Sequence, residues 1–383
     1  MTRKLYYEDS YADRVNTEVL SCMPYGDGRF AVTLAETVFF PEGGGQPGDT
    51  GYIGGARVTD TQESGEEVLH ITEASLSVGE KVDAVIDFER RLRLMQNHGG
   101  EHIVSGIVNR KYGLNNVGFH MGSEDITIDY DGFLDRDALR EVEYEANLAV
   151  VKNMRIAATY PSEEELAALH YRSKKALTGK IRIVTVEGFD VCACCAPHLS
   201  HTGEIGIIKI LDSVKYKGGV RVHLQCGLDA LDDYNEKYGA VKTISMRLSS
   251  PQEKIAEAVA HLEEEFAACR ARCACLRDEL LSMKIKLIEP TDGNLCLFEP
   301  ELGNDELMRF TIAAAEKCGG ICAAFAGTDA DYRYCMVSRT RDLRAMSRDI
   351  NAAIGGRGGG SPEMIRGTAA CESETLKDFI GKL

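Results

Sequence analysis

His98 and His102 stand four residues apart in a stretch whose pattern predicts a helix. That spacing puts both imidazoles on one face, about one turn apart, where they can chelate one ion. Much later, DVCACCAPHLSHTGEIG brings Cys194 and His198, again four apart. Three imidazole nitrogens and one thiolate make a mixed donor set, and borderline-soft zinc suits it. Cys192, Cys195 and His201 lie in the same stretch and compete for the role; residue type alone does not choose among them. A third element is TVFFPEGGGQPGDTG. Gly43, Gly44 and Gly45 let backbone N–H groups approach a substrate closely, and Gln46 offers both a donor and an acceptor. Taken singly, each element has a bland reading: a surface histidine pair, buried cysteines, a wide turn between strands. The two metal-type pairs together favour a metal.

These residues need a scaffold. Runs such as RFAVTLAETVFF and KVDAVIDF predict a β-rich segment over residues 1–88. A helix over Glu89–Arg110 would carry the histidine pair, and a second helix spans Asp135–Lys152. Strands are expected at Lys180–Glu187, Gly206–Leu211 and Val220–Cys226, closing a core over residues 89–237. Pro251 fits the first turn of a long helix. From Ile255 to Leu287 apolar residues step by four and three alternately, the mark of a coiled coil or a long helical hairpin, or else of one amphipathic helix packed on its own domain. An arm over 238–290 and an α/β domain over 291–383, with a glycine-rich loop GGRGGGSPEMIRGT, complete the reading.

The bulk composition is that of a soluble globular chain, 44% hydrophobic and 27% charged. No apolar run reaches the ~20 residues of a membrane span, and the first residues, MTRKLYYEDSYADR, hold no signal core. Thirteen cysteines without such a signal predict reduced thiols in the cytoplasm. A net charge of −16 argues against broad binding to phosphates. The C-terminal region differs: Arg333, Arg339, Arg341, Arg344, Arg348, Arg357 and Arg366 outnumber Asp342, Asp349 and Glu363 by four. That excess suits a local RNA-facing surface, against the alternative of a solvated mixed face.

The combination TxFFPxGGGQPxDxG, HxxxH and CxxxHxxxTGEIG resembles the editing domain of alanyl-tRNA synthetases, and more closely the free-standing AlaX proteins that share it. The resemblance spans about residues 1–230. GGRGGGSPEMIRG resembles the glycine signature of the DHH-associated domain that ends the long AlaX proteins, so the whole chain is covered. The resemblance implies an α+β chain: a β-barrel-like N-terminal subdomain, an α/β editing core, a helical arm and a C-terminal α/β DHH-associated domain. It places His98, His102, Cys194 and His198 on the ligand positions for one zinc per chain. Thr37 falls where the family contacts the hydroxyl of a mischarged serine, Gln46 on a glutamine of the editing pocket, and Gly355, Gly356, Arg357, Gly358, Gly359 and Gly360 on the tRNA-binding glycine loop. Two departures stand out: CCAPH replaces the usual CGGTH at Cys194–His198, and Glu101 replaces a common glutamine, adding a carboxylate near the metal that is either a partner behind the ligands or a bystander on the helix.

The implied reaction is hydrolysis of the ester joining serine, or glycine, to the terminal ribose of tRNA(Ala). A metal with four protein ligands has no evident open position, which favours a clamp for the tRNA 3′ end over a hydroxide generator. Rivals remain. His98-Gly-Gly-Glu-His102 fits an H-x-x-E-H zinc protease with Glu101 as base. A zinc-stabilised RNA-binding or dimerisation protein with a decayed site is the other. A phosphoesterase is excluded by the lack of an Asp-His-His triplet. The partners implied are tRNA(Ala) carrying a wrong amino acid, no membrane, and a homodimer through the arm or the C-terminal domain.

Overall fold

The computed structural model describes residues 2–122, 125–173 and 180–383. It is a mixed α+β structure of two compact units, Met1–Ile244 and Ser245–Leu383. Among the described residues no helix is long and apolar enough to cross a membrane.

The first unit opens on antiparallel strands that pair in a closed ring: Arg14–Pro24, Phe30–Leu34, Glu67–Thr72, Ala56–Ser64, Gly51–Ile53 and Lys81–Ile86, the last returning to the first. Alternation explains the ring. In Lys81–Ile86, Val82, Ala84 and Ile86 point inward while Lys81 and Asp83 face solvent. With Val19, Val32, Leu34, Phe39 and Val58 they fill the interior.

Helix α1 (Phe88–Tyr112) follows at once. It extends the expected helix by a residue or two at each end, and Gly113 in the left-handed region stops it. Met95–Val108 is buried all round, which is why its apolar periodicity is weak in the sequence. Helix α2 (Arg136–Lys152), capped by the Asp135 carboxylate accepting from Ala138 N–H at 2.8 Å, packs on it. A four-stranded antiparallel sheet runs in the order Ile208–Tyr216, Gly219–Cys226, Ile126–Tyr130, Asn116–Met121. A three-stranded sheet of Ile156–Thr159, Ile183–Val186 and Asp190–Ala193 leads into the Cys194–His198 loop. Short α3 (Glu163–Ala168) and α4 (Leu228–Leu248) complete this part of the chain.

In the second unit α5 (Ile255–Leu287) packs on α6 (Asn304–Ala314) near its C-terminal end, through Leu281 and Ile285. Its stepped apolar residues point elsewhere: Leu262, Phe266, Leu276, Leu280 and Met283 are all exposed. A five-stranded sheet, order Leu295–Phe298, Ile321–Thr328, Asp331–Ser338, Met364–Ala369, Arg357–Gly360, is flanked by α6, α7 (Leu343–Ala353) and α8 (Ser373–Lys382). One expectation is corrected here. The glycine-rich stretch is not simply a loop, because Arg357–Gly360 is an edge strand. A Cβ at Gly358 would lie 2.4 Å from both Arg366 O and Tyr334 Oη, so glycine is what allows this close pairing.

The ring and α1 are joined by an ion pair. Arg91 is fully buried, and its guanidinium grips the equally buried Asp49 with Nε 2.9 Å from each carboxylate oxygen. Asp49 also accepts from Phe40 N–H at 2.7 Å, and Arg91 donates to Val38 O at 2.8 Å. Asp49→Ala would strand a buried guanidinium, and a loss of about 3–5 kcal/mol is expected. Urea unfolding of the variant measures it; a change below ~1 kcal/mol would show that the pair does not anchor the helix.

Candidate metal centre

α1 presents His98 and His102 one turn apart, their rings stacked with centroids 5.2 Å apart. The loop after Asp190–Ala193 brings His198 to 4.9 Å from each ring. Cys194 Sγ lies 3.3 Å from His198 Nε2 and 3.5 Å from His98 Nε2. One potential ligand atom from each of the four lies within 4.8 Å of the others. Thus two pairs from distant parts of the chain converge on one point.

Each helix histidine is held from behind. His98 Nδ1–H donates to Gln46 Oε1 at 3.0 Å, and His102 Nδ1–H to Asp190 Oδ2 at 2.8 Å. Arg172 in turn donates to both Asp190 oxygens at 2.7 Å. Such partners fix the tautomer and leave Nε2 for a metal. The donor set fits a metal on the structure's own terms. His102 Nε2 is buried and meets no hydrogen-bond partner among the described residues. Burial pushes the Cys194 thiol up, but the adjacent His98 and His198 imidazoles, the second hydrogen-bonded to its sulfur, outweigh it and bring it well below its ordinary range. Burial lowers His198 to about 3. A thiolate and a neutral imidazole are the ligating forms. Burial also opposes protonation of His102, yet the hydrogen bond to the Asp190 carboxylate raises it well above the usual range.

The rival ligands separate. Cys192 groups with His102 and Asp190 in a smaller cluster beside the main one. Cys195 Sγ lies against the glycine turn, 3.4 Å from where a Cβ on Gly43 or Gly44 would stand. His201 is exposed and faces Glu204. The turn itself is tight: Gly43 and Gln46 exchange both backbone hydrogen bonds at 3.0 Å, with Gly44 and Gly45 at positive φ, as a two-residue hairpin turn requires. A Cβ on Gly44 would be 4.0 Å from both His98 Cε1 and Cys194 Sγ, so the turn covers the cluster.

Two expected residues fall outside it. Glu101 is buried on α1, but its carboxylate accepts from Ser105 Oγ at 2.8 Å and from Asn116 Nδ2, and it is not in the metal-type group. Of the two readings of Glu101, partner behind the ligands or bystander on the helix, these hydrogen bonds and its place off the face shared by 98 and 102 favour the second. Thr37 is fully buried. His70 Nδ1–H donates to Val32 O at 2.9 Å, so its Nε2 accepts the Thr37 hydroxyl at 2.8 Å; Thr37 Oγ1 accepts from Phe39 N–H at 3.0 Å. Burial lowers His70 to about 4, which keeps it neutral. Sequence reasoning missed Asp190, Arg172 and His70. Only the DVC run leading into Cys194 hinted at the first.

Comparison with known proteins now has a geometry to attach to. Residues 181–223 match the family described as the threonyl and alanyl tRNA synthetase second additional domain, and residues 14–90 match class II (A) tRNA synthetases. The chain is a relative of alanine–tRNA ligases and alanyl-tRNA editing proteins. It is 31% identical to the alanine–tRNA ligase of Ignicoccus hospitalis over its full length, spanning 43% of that enzyme. It is 27% identical to the alanyl-tRNA editing protein AlaX-L of Pyrococcus horikoshii, over 99% of this chain and 97% of that one.

Cys194→Ala is expected to remove most bound metal, while Cys195→Ala retains it; elemental analysis of the purified variants checks both. Thr37→Val leaves two buried groups unpaired and should cost about 1–3 kcal/mol. A chemical melt that matches the wild type would refute that accounting.

Proposed function

We propose that the chain deacylates wrongly charged tRNA(Ala), hydrolysing the ester of Ser-tRNA(Ala), as a trans-editing enzyme. The observation that carries this is the convergence of His98, His102, Cys194 and His198 under the Gly43–Gln46 turn, in a chain similar end to end to an alanyl-tRNA editing protein. Zinc, one per chain, is the ion these four donors suit; bound there it would supply Lewis acidity or a point of attachment for the tRNA 3′ end. Gln46 holds His98 in register for that ion and presents its amide to the substrate. Thr37, its proton committed to His70, keeps an oxygen lone pair that can accept from a serine hydroxyl and finds none in alanine.

The protease reading loses its support, since Glu101 is engaged with Ser105 and Asn116. A decayed binding protein is disfavoured by an intact ligand set with its outer partners.

The remaining assignments belong to the same proposal. Functionally the chain divides into a barrel-like subdomain over 1–88, the editing core over 89–237, an arm over 238–290 and a DHH-associated domain over 291–383. Exposed Arg357 and the backbone of Gly355–Gly360 contact tRNA, and the exposed apolar residues of α5 form a coiled-coil seam with a second copy. A tRNA substrate and a thiolate ligand both suit the cytoplasm.

Purified protein should release serine from Ser-tRNA(Ala) well above its rate on Ala-tRNA(Ala), and a chelator should abolish the activity. Equal rates on both would overturn the specificity, and no release the function. A chain ending at Ile244 should keep its metal and lose mainly tRNA affinity, with a flatter dependence on salt. Unchanged binding would assign residues 245–383 another partner.

A further inference from the structure

Tyr6 lies in a short 3-10 turn, Leu5–Tyr7, and is 1% exposed. Its ring meets Phe40 edge-on at 5.4 Å and Tyr7 at 4.6 Å. With Phe40 and Ala196 it forms a small separate cluster, against which Cys194 packs. Phe40 leads into the glycine turn, and Ala196 sits between Cys194 and His198. The ring is therefore wedged between the two segments that build the metal centre.

The hydroxyl is the anomaly. It is buried and meets no hydrogen-bond partner among the described residues. Buried tyrosine hydroxyls nearly always find one, since leaving the group unpaired costs free energy. If only the ring mattered, phenylalanine would give the same packing without that cost. Burial raises the phenol far above its ordinary range, so the group is a neutral O–H donor. A second buried donor, on the other side chain that touches the four-residue cluster, shares the condition. Gln46 Oε1 is turned to His98, which leaves its Nε2 pointing away, buried and without an acceptor. Gln46 touches the centre through His98, and Tyr6 through Cys194.

We propose that Tyr6 Oη–H, together with Gln46 Nε2–H, donates hydrogen bonds to the carbonyl oxygen of the carboxylic ester being hydrolysed, making Tyr6 a substrate-contacting residue. The assignment rests on the ester-hydrolysis reading above. When water adds to an ester carbonyl, negative charge moves onto that oxygen. Donors already fixed in a dry site stabilise the charge without reorganising, and removing one such donor typically costs 10²–10³-fold in kcat. No proton leaves Tyr6. The bond strengthens as charge develops on the carbonyl oxygen, and it is that gain, beyond the bond made to the uncharged ester, that falls on kcat rather than on KM.

The test is Tyr6→Phe in the full-length, zinc-loaded chain. Metal content, stability to urea, and kcat and KM on Ser-tRNA(Ala) are measured against wild type. The expected result is unchanged metal, equal or higher stability because an unpaired group has been removed, and kcat lower by about 100-fold with KM within threefold. A kcat within twofold of wild type overturns the assignment. So does lower stability with a normal kcat, which would mark the hydroxyl as a structural group bound to water, and so does a loss confined to KM or to metal content. A wild-type chain that leaves every aminoacyl-tRNA ester intact is a different failure: it overturns the ester reading itself, and the Tyr6 assignment with it.

Discussion

Arg91 and Asp49 form an ion pair with almost no access to solvent, and much of the first unit's geometry hangs from it. Two charges taken out of water are tolerable only when every remaining donor and acceptor is satisfied. Here Asp49 also takes Phe40 N–H, while Arg91 reaches Val38 O and Ser10 O. The pair thus ties the strand-to-turn segment 38–49 to the first turns of α1. Residues 91, 98 and 102 share one stripe of that helix. Fixing Arg91 therefore fixes the rotation that aims both histidines, and fixing Asp49 sets the turn that lies over them.

The candidate metal centre poses the problem of holding four donors close together. Three imidazoles and a thiolate within 4.8 Å of one another lose hydration together. The structure offsets this with partners set behind the ligands: Gln46 on His98, and Asp190 with Arg172 on His102. His198 Nδ1 meets none among the described residues. Two ligands are thus rigidly pre-set on a helix, while two come from a loop whose Ala196 is pinned under Tyr6. This is where the CCAPH sequence has its consequence. The glycines and threonine expected there give way to Cys195, which lies against the glycine turn, a buried Ala196 and Pro197.

The second unit works under different constraints. Its sheet ends in a strand of three consecutive glycines after Arg357, which no β-propensity would select. Backbone approach selects it instead: Gly356, Gly358 and Gly360 each stand where a Cβ would meet a carbonyl oxygen at 2.4 Å or less. The result is an exposed edge strand, paired on one side only. Within the same unit α5 keeps one face for its own domain and leaves its stepped apolar face in solvent.

What could be read from the sequence was local. The four metal-type residues were legible because i, i+4 spacing is set by helix and loop geometry over a single turn, and donor chemistry belongs to the residue type. Alternation in KVDAVI and its neighbours, and the three-four steps of residues 255–287, announced strands and a long helix for the same reason. What the sequence left open were choices between near-equivalents and contacts between distant segments. Cys192, Cys194 and Cys195 are chemically alike; only the direction of the chain after Ala193 selects Cys194 for the main cluster. Glu101 looked like a metal neighbour by position, yet Ser105 and Asn116 claim its carboxylate. Asp190, Arg172, His70 and the hydroxyl of Tyr6 carry no spacing signal, because each acts on a partner from 18 to 88 residues away in the chain or on none among the described residues. Spacing along the chain encodes what one turn of backbone can bring together; which buried polar groups meet, and which are left waiting for a partner, is decided only when the segments pack.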